Sequence, residues 1–348
     1  MNKKRITDYE GKIVYIGIDV HKKTYHMTAR CDGDVVKKAS VKAKPCEFTK
    51  SIKKWFKGAE IKTVYEAGFS GYVLHRVLER EEITNIVVNP ASIEVAANDR
   101  VKTDSRDSQK MAEQLEAGKL KSGKVPSLTE ELARLPQRTR DQLVKTRVKT
   151  GNQIKSRLAQ FGFSEYDNDT KMSEKYLKNI EEQDYPNELK FVLDLLIQEW
   201  RDLASRIKIL DKKIKDDSKN NETIQKIKQV HGVGVLIANI IYTELGDMSQ
   251  FSNESKLFSF LGLTPTEYSS GERVRKGHIS RQGPPRLRKI LIEACWRNIQ
   301  KDEVSKITFD RIAKTRGKKR AIVACARKLM GRIRASIRLD EDFKHQLV

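Results

Sequence analysis

The stretch IVYIGID, residues 13–19, decides the fold class. It is apolar, rich in β-branched residues, without a helical period, and it ends in a single carboxylate, Asp19. A short continuous run of this kind predicts a central strand buried on both faces. Working outward, IKTVYEA (61–67) is a second such run and closes on Glu66. Between the two, TYHMTARCD and DVVKKASVKA read as alternating strands, with Asp32-Gly33-Asp34 as the hairpin turn. Pro45 opens a helix through Trp55 and Phe56, and Val73, Leu74, Val77 and Leu78 mark another after the glycines at 68 and 71. NIVVNP is a short strand ended by Pro90, and Asp104 to about Leu120 reads as a helix. The order is β-β-β-α-β-α-β-α, an α/β domain.

That order resembles an RNase H-like nuclease domain. It makes four acids the candidate site: Asp19 and Glu66 at strand ends, with Asp104 and Asp107 three apart where the last helix begins. Carboxylates so grouped hold one or two Mg²⁺ ions, with Mn²⁺ as a substitute, which is the chemistry of phosphodiester cleavage. The competing structural reading makes Asp104 an N-cap, Asp107 its N3 partner and Glu66 an ordinary strand-end residue.

The chain has 348 residues, enough for two or three domains, with 38% hydrophobic and 33% charged residues. Lys and Arg number 69 against 47 acids, a net charge of +22, which favours a polyanionic partner. The excess is concentrated: Gly271 to Arg338 carries 21 Lys and Arg against 5 acids. The four cysteines (Cys31, Cys46, Cys295 and Cys325) form no CxxC pair and read as reduced, mostly buried thiols. No apolar run approaches the roughly 18–20 residues of a membrane span, and MNKKRITDYEGK lacks a signal-peptide core. The expected setting is the cytoplasm, with no membrane partner.

Three domains are expected: residues 10–120, an all-α connector at 121–225, and a mainly helical domain at 226–340. In the connector, Pro126 and Pro136 break the first part, and a helix carries Leu143, Val144, Val148, Ile154, Leu158 and Phe161, with Gly151 as a weak point. A polar linker, Ser164–Tyr185, leads to Pro186 at a helix start. Beyond it, Leu189, Val192, Leu196, Leu203, Ile207, Leu210 and Ile214 follow heptad spacing, which predicts a coiled coil, either between chains or as a hairpin within one. In the third segment Gly232-Val233-Gly234 lies between two helical patterns and reads as a helix-hairpin-helix.

The motifs YIGIDVHK, VYEAG, VVNP and KTDSRDS, then VHGVG, FLGLTPTEYSSGE and ISRQGPPRLRKIL, occur in an order that resembles the DEDD transposases of insertion sequences. The resemblance spans roughly residues 13–338. It implies a RuvC-like nuclease domain, a helical connector and a C-terminal transposase domain, with donor and target DNA as substrates, a structured guide RNA (bridge RNA) and a homo-oligomer, dimer or tetramer. The four acids of that family fall on Asp19, Glu66, Asp104 and Asp107. Its nucleophilic serine, in a Pro-x-x-Tyr-x-Ser-Gly context, falls on Ser270 within Pro265-Thr-Glu-Tyr268-Ser-Ser270-Gly271, with Ser269 as the neighbouring alternative. Pro284-Pro285 departs from the polar residues usual there and should stiffen the start of a helix.

The resemblance implies a covalent step in which Ser270 attacks a DNA phosphate, in a site completed between protomers. Arg273, Arg275, Lys276 and Arg281 flank that serine, followed by Arg286, Arg288 and Lys289, by Lys318, Lys319 and Arg320, and by Arg327, Lys328, Arg332 and Arg334. They form the expected nucleic-acid surface. Two other readings compete: a structure-selective endonuclease of the Holliday-junction resolvase type, which cuts by hydrolysis and needs no serine, and a non-catalytic nucleic-acid-binding protein.

Overall fold

A computed structural model describes residues 8–90, 93, 103–163, 171–267 and 275–343. The chain divides into two compact units, residues 1–125 and 126–348.

The first unit is built on a five-stranded sheet. Its strands are β1 (Ile13–Val20), β2 (Thr24–Cys31), β3 (Asp34–Lys42), β4 (Glu60–Glu66) and β5 (Thr84–Val88), in the order β3-β2-β1-β4-β5. β1 pairs antiparallel with β2 and parallel with β4, which is parallel to β5. The β2–β3 turn has positive φ at both Asp32 (51°) and Gly33 (81°), the type I′ geometry that the Asp-Gly pair favours. Along β1 the side chains alternate. Val14, Ile16 and Ile18 are fully buried in a core with Phe48 and Ile52 of α1 (Pro45–Trp55) and with Leu74 and Leu78 of α2 (Val73–Arg80). Each fully buried aliphatic contributes roughly 1.5–3 kcal/mol.

The opposite face of the sheet carries α3 (Asp104–Glu116), whose Met111 packs with Val64 and Val88. Gly17 sets this approach. A Cβ there would stand 2.0 Å from the Ser108 carbonyl oxygen and 2.6 Å from the Ala112 nitrogen, so only glycine admits the helix. The buried hydroxyls of Thr28 and Ser108, 2.9 Å apart, and Arg30 Nε donating to Glu116 at 2.6 Å fix α3 to β2.

The second unit is mostly helical. It begins with α4 (Leu128–Ala133) and α5 (Leu135–Gln160), so the expected break falls at Arg134, with Pro136 in the first turn of α5. The helix runs through Gly151 unbroken. A Cβ there would meet the Met172 methyl at 3.3 Å, so Gly151 is also a site of close packing. The segment expected as a polar linker contains α6 (Glu174–Glu181), whose Tyr176, Leu177 and Ile180 are buried against α5 and α7 (Asn187–Ser218). α7 packs along α5 of the same chain. Its buried seam is Leu189, Leu193, Ile197, Leu203, Ile207 and Ile214. Leu193 thus takes the place expected of the exposed Val192, while the partly buried Leu196 packs against the same core beside Ile197.

The rest of the unit holds α8 (Glu222–Lys228), α9 (Val235–Leu245), α10 (Glu254–Phe260), a two-stranded ribbon of β6 (Pro265–Glu267) and β7 (Lys276–Ile279), α11 (Pro285–Asn298), α12 (Glu303–Arg316) and α13 (Lys318–Leu339). These helices share one core, including Ile240, Leu257, Leu291, Cys325 and Leu329. Gly232, between α8 and α9, has φ 85°, and a Cβ there would lie 2.6 Å from the Ala294 carbonyl oxygen of α11. Pro284 and Pro285 form the N-cap and first helical residue of α11. Among the described residues no helix is long and apolar enough to cross a membrane. Cys31, Cys295 and Cys325 are buried thiols, whereas Cys46 is exposed.

Candidate active site

Side chains alternate faces along a strand, so Gly17, Asp19 and the residue two further on, His21, share the α3 side of β1. His26 joins them because the β1–β2 register places it directly opposite Asp19. The turn between the strands is short, with the His21 N–H donating to the Thr24 carbonyl at 2.9 Å. Glu66 reaches the same sheet edge. Tyr65 is the parallel partner of Ile18, so Glu66 and Asp19 are each one residue further along neighbouring strands, and Glu66 is exposed.

The N-terminus of α3 completes the group. Its N-cap is Thr103, whose hydroxyl accepts a hydrogen bond from the Arg106 N–H. Asp104 is therefore the first helical residue and not the cap, and neither Asp104 nor Asp107 fills the capping-box role. Both lie in the first turn, where the helix dipole favours negative charge. Asp104 Oδ2 lies 3.2 Å from Nε2 of His21 and 3.4 Å from Nε2 of His26, and Asp19 Oδ2 lies 3.2 Å from the same His21 nitrogen. That nitrogen is buried and makes no hydrogen bond. Burial, together with the neighbouring charges of Asp104 and Asp107, pushes the Asp19 carboxyl above its ordinary value, against a lowering influence of His21. A cavity of about 230 Å³ opens beside His26, lined also by Lys38, Ser40 and Ser105.

This donor set suits a divalent cation. Three acids crowd one another, and ligand atoms of His21, His26 and Asp104 all lie within 4.8 Å of one another. Cis ligands of an octahedral ion about 2.1 Å away stand about 3 Å apart, close to the 3.2 Å separations found here. The two histidines were not among the candidates read from the sequence. The available signals were the Asp-x-His spacing of residues 19–21 and the placement of His26 across a tight turn, and the second needs the strand register.

Ser270, its neighbour Ser269 and Arg273 lie outside the described residues, and of Lys276 only the backbone strand is described. Arg275, Arg281, Lys318, Lys319 and Arg320 are exposed. Arg286 and Arg288 are not free cations. Arg286 is ion-paired with Asp141, donates to the side chain of Gln137, and lies 3.5 Å from Glu244. Arg288 donates to the carbonyls of Leu261 (3.1 Å) and Gly283 (2.9 Å). Both tie α11 to neighbouring segments, because a guanidinium at a helix start is well placed to satisfy carbonyls and acids nearby. Arg332 is likewise engaged with the buried Asp302, and Arg334 donates to the Phe251 carbonyl.

A mixed α/β domain with acids gathered at one end of its central strands, followed by a strongly basic helical region, is an arrangement that suits a metal-dependent enzyme acting on nucleic acid. The comparisons narrow the class. Residues 16–163 match the family model for the DEDD transposases of IS110 elements, and residues 224–309 match that of the transposase IS116/IS110/IS902 family. The chain is 27% identical over 349 residues to the transposase for insertion sequence element IS1533 of Leptospira borgpetersenii, covering 95% of this chain and 96% of the relative. It is 28% identical over 302 residues to the putative transposase y4qE of Sinorhizobium fredii, covering 84% and 73%, respectively. It is also 28% identical over 233 residues to the transposase for insertion sequence element IS1111A of Coxiella burnetii, covering 65% and 64%. The chain is thus similar to IS110-type insertion-sequence transposases in two separate stretches, residues 16–163 and 224–309.

Proposed function

We propose that this protein is an insertion-sequence transposase, an RNA-guided recombinase that exchanges DNA strands through a serine–phosphate intermediate. The observation that carries the cutting site is the approach of Asp19 and Asp104 to one buried nitrogen, at 3.2 Å each. The strand order β3-β2-β1-β4-β5 supports reading residues 10–120 as an RNase H-like, RuvC-like domain. The helical segments after it are read as a connector at 121–225 and a transposase domain at 226–340.

In this reading Asp19, Glu66, Asp104 and Asp107 hold Mg²⁺, with Mn²⁺ as a substitute. The bound ion supplies relief of carboxylate repulsion and polarisation of a phosphate oxygen. Ser270 supplies the nucleophile. Its Oγ bonds to phosphorus, the P–O3′ bond breaks, the serine proton passes to a base and the 3′-oxygen takes up a proton. The strand is then held as a serine phosphodiester. Attack by the 3′-hydroxyl of a second DNA reverses the exchange and restores the serine, so that one ester replaces another without external energy. Arg275, Arg281, Lys318, Lys319 and Arg320 neutralise phosphates, while pairing with the guide RNA reads the target. The active species is a homo-oligomer.

The test incubates protein, Mg²⁺ and element-end DNA with the cognate RNA, then seeks an SDS-resistant protein–DNA adduct. The proposal expects an adduct that Ser270→Ala abolishes and that requires the RNA. Ligated recombinant product from Ser270→Ala would sink the nucleophile. Nicks without an adduct would point to hydrolysis, and an RNA-independent reaction would remove the guide.

A further inference from the structure

We propose that His21 and His26 contribute imidazole nitrogens to a cation position shared with Asp104, so that this position takes a first-row transition ion such as Mn²⁺ in preference to Mg²⁺. The inference rests on the reading of the acids as metal-holding residues and specifies which ion one of their positions selects.

The geometry follows from the backbone. The β1–β2 turn and register place His21 and His26 on the same face as Asp19, with their rings 5.4 Å apart and nearly perpendicular. The Nε2 atoms converge on Asp104 Oδ2, at 3.2 Å from His21 and 3.4 Å from His26. Gly17 lets α3 approach closely enough to bring Asp104 there. The buried His21 nitrogen makes no hydrogen bond although two carboxylate oxygens stand beside it. Ligand-type atoms of His21, His26 and Asp104 thus all lie within 4.8 Å of one another.

Ligand chemistry then decides the ion. Mg²⁺ is bound through oxygen and retains waters, whereas imidazole nitrogen binds first-row transition ions, whose affinities for N/O sites rise from Mn²⁺ toward Cu²⁺. Two nitrogens and one carboxylate oxygen leave further positions for Asp19, water or a phosphate oxygen. A set of carboxylates alone would lack this preference.

The experiment uses the full-length protein and Mn²⁺ as the probe. Electron spin echo envelope modulation of the bound ion reads directly coupled ¹⁴N, and Mg²⁺ competition reads the preference. The wild type should show imidazole ¹⁴N modulation, an outcome that needs no variant to fold. His21→Ala/His26→Ala should lose the modulation, and its preference for Mn²⁺ over Mg²⁺ should fall by about tenfold or more. Bound Mn²⁺ without ¹⁴N coupling in the wild type, or coupling and preference unchanged in the double variant, overturns the inference and leaves the histidines as ion-pair partners of Asp19 and Asp104. Failure of the underlying reading has a different signature, in which the wild type binds neither Mn²⁺ nor Mg²⁺.

Discussion

Asp19 and Asp302 are both aspartates at the end of an element, both largely withdrawn from solvent, and the fold pushes their carboxyls in opposite directions. Asp19, at the end of β1, lies above its ordinary value because of burial and the neighbouring charges of Asp104 and Asp107. Asp302, the N-cap of α12, is fully buried, which alone would raise it. The Arg332 guanidinium and the Ser305 N–H outweigh burial and hold it below. Arg332 grips it with two hydrogen bonds of 3.1 Å, and the Ser305 N–H donates at 2.8 Å. An acid that the chain compensates is part of the structure. An acid set among other acids is, in the proposed function, compensated by a cation from outside.

The largest expected effect lies at the uncompensated end. Asp19→Asn should lower strand cleavage by about 10³-fold or more, since it removes part of the charge that holds the ion. The metal-free protein should be no less stable. A carboxyl raised in the folded state holds its proton more tightly there than in the unfolded chain, so stability falls as pH rises through the window above its ordinary value of 3.8. At neutral pH the ionised form is a net cost that asparagine removes. Cleavage assays beside urea melts without divalent ions measure both halves. Wild-type cleavage in this variant would erase the distinction between the two aspartates.

Asp302→Ala should do the reverse, costing about 2–4 kcal/mol of stability by removing the buried carboxylate that the half-buried Arg332 and the Ser305 N–H both engage. Urea unfolding reads this loss. Its pH signature is opposite in sign to that of Asp19. With a lowered folded value, Asp302 contributes stability that is present above 3.8 and lost as pH falls through that lowered value. The variant should therefore show a weaker loss of stability on acidification than the wild type.

Arg286 extends the comparison to the basic side. It was expected to meet nucleic acid, yet it pairs with Asp141 and Gln137. Arg286→Ala should cost about 1.5–3 kcal/mol, the range for hydrogen bonds to charged groups, and should leave the salt dependence of DNA binding unchanged. A lowered salt slope with unaltered stability would return it to the nucleic-acid surface.

Local signals made much of the first unit legible. The apolar run before Asp19, the Asp-Gly turn and the order of strands and helices all appear in the fold. What escaped depends on contacts between distant segments. His26 meets Asp104 only through the β1–β2 register and the tight seat of α3 on Gly17. Thr103 takes the cap that the competing structural reading gives to Asp104, because its hydroxyl reaches the Arg106 N–H. The segment expected as a linker folds as α6 because Tyr176, Leu177 and Ile180 find an apolar cleft, and three residues carry too little period to announce it. Arg286 and Arg288 look like any surface cations until α11 is set against its neighbours.

A third aspartate provides the baseline. Asp217 lies on the exposed face of α7, where Lys213, four residues earlier, donates to both carboxylate oxygens at 2.6 and 2.8 Å. By distance alone this pair rivals the Arg332–Asp302 grip. Its side chains are 60% and 46% exposed, so water screens the attraction and two flexible chains lose entropy in holding one geometry. The order of the pair, lysine before the acid, is also the weaker one on a helix. Lys213→Ala should therefore change stability by no more than about 0.5 kcal/mol, and raising salt should shrink even that difference. Urea melts at two ionic strengths measure it. A loss approaching that of Asp302→Ala would mean that contact distance, and not burial with compensation, separates structural aspartates from the rest of this chain.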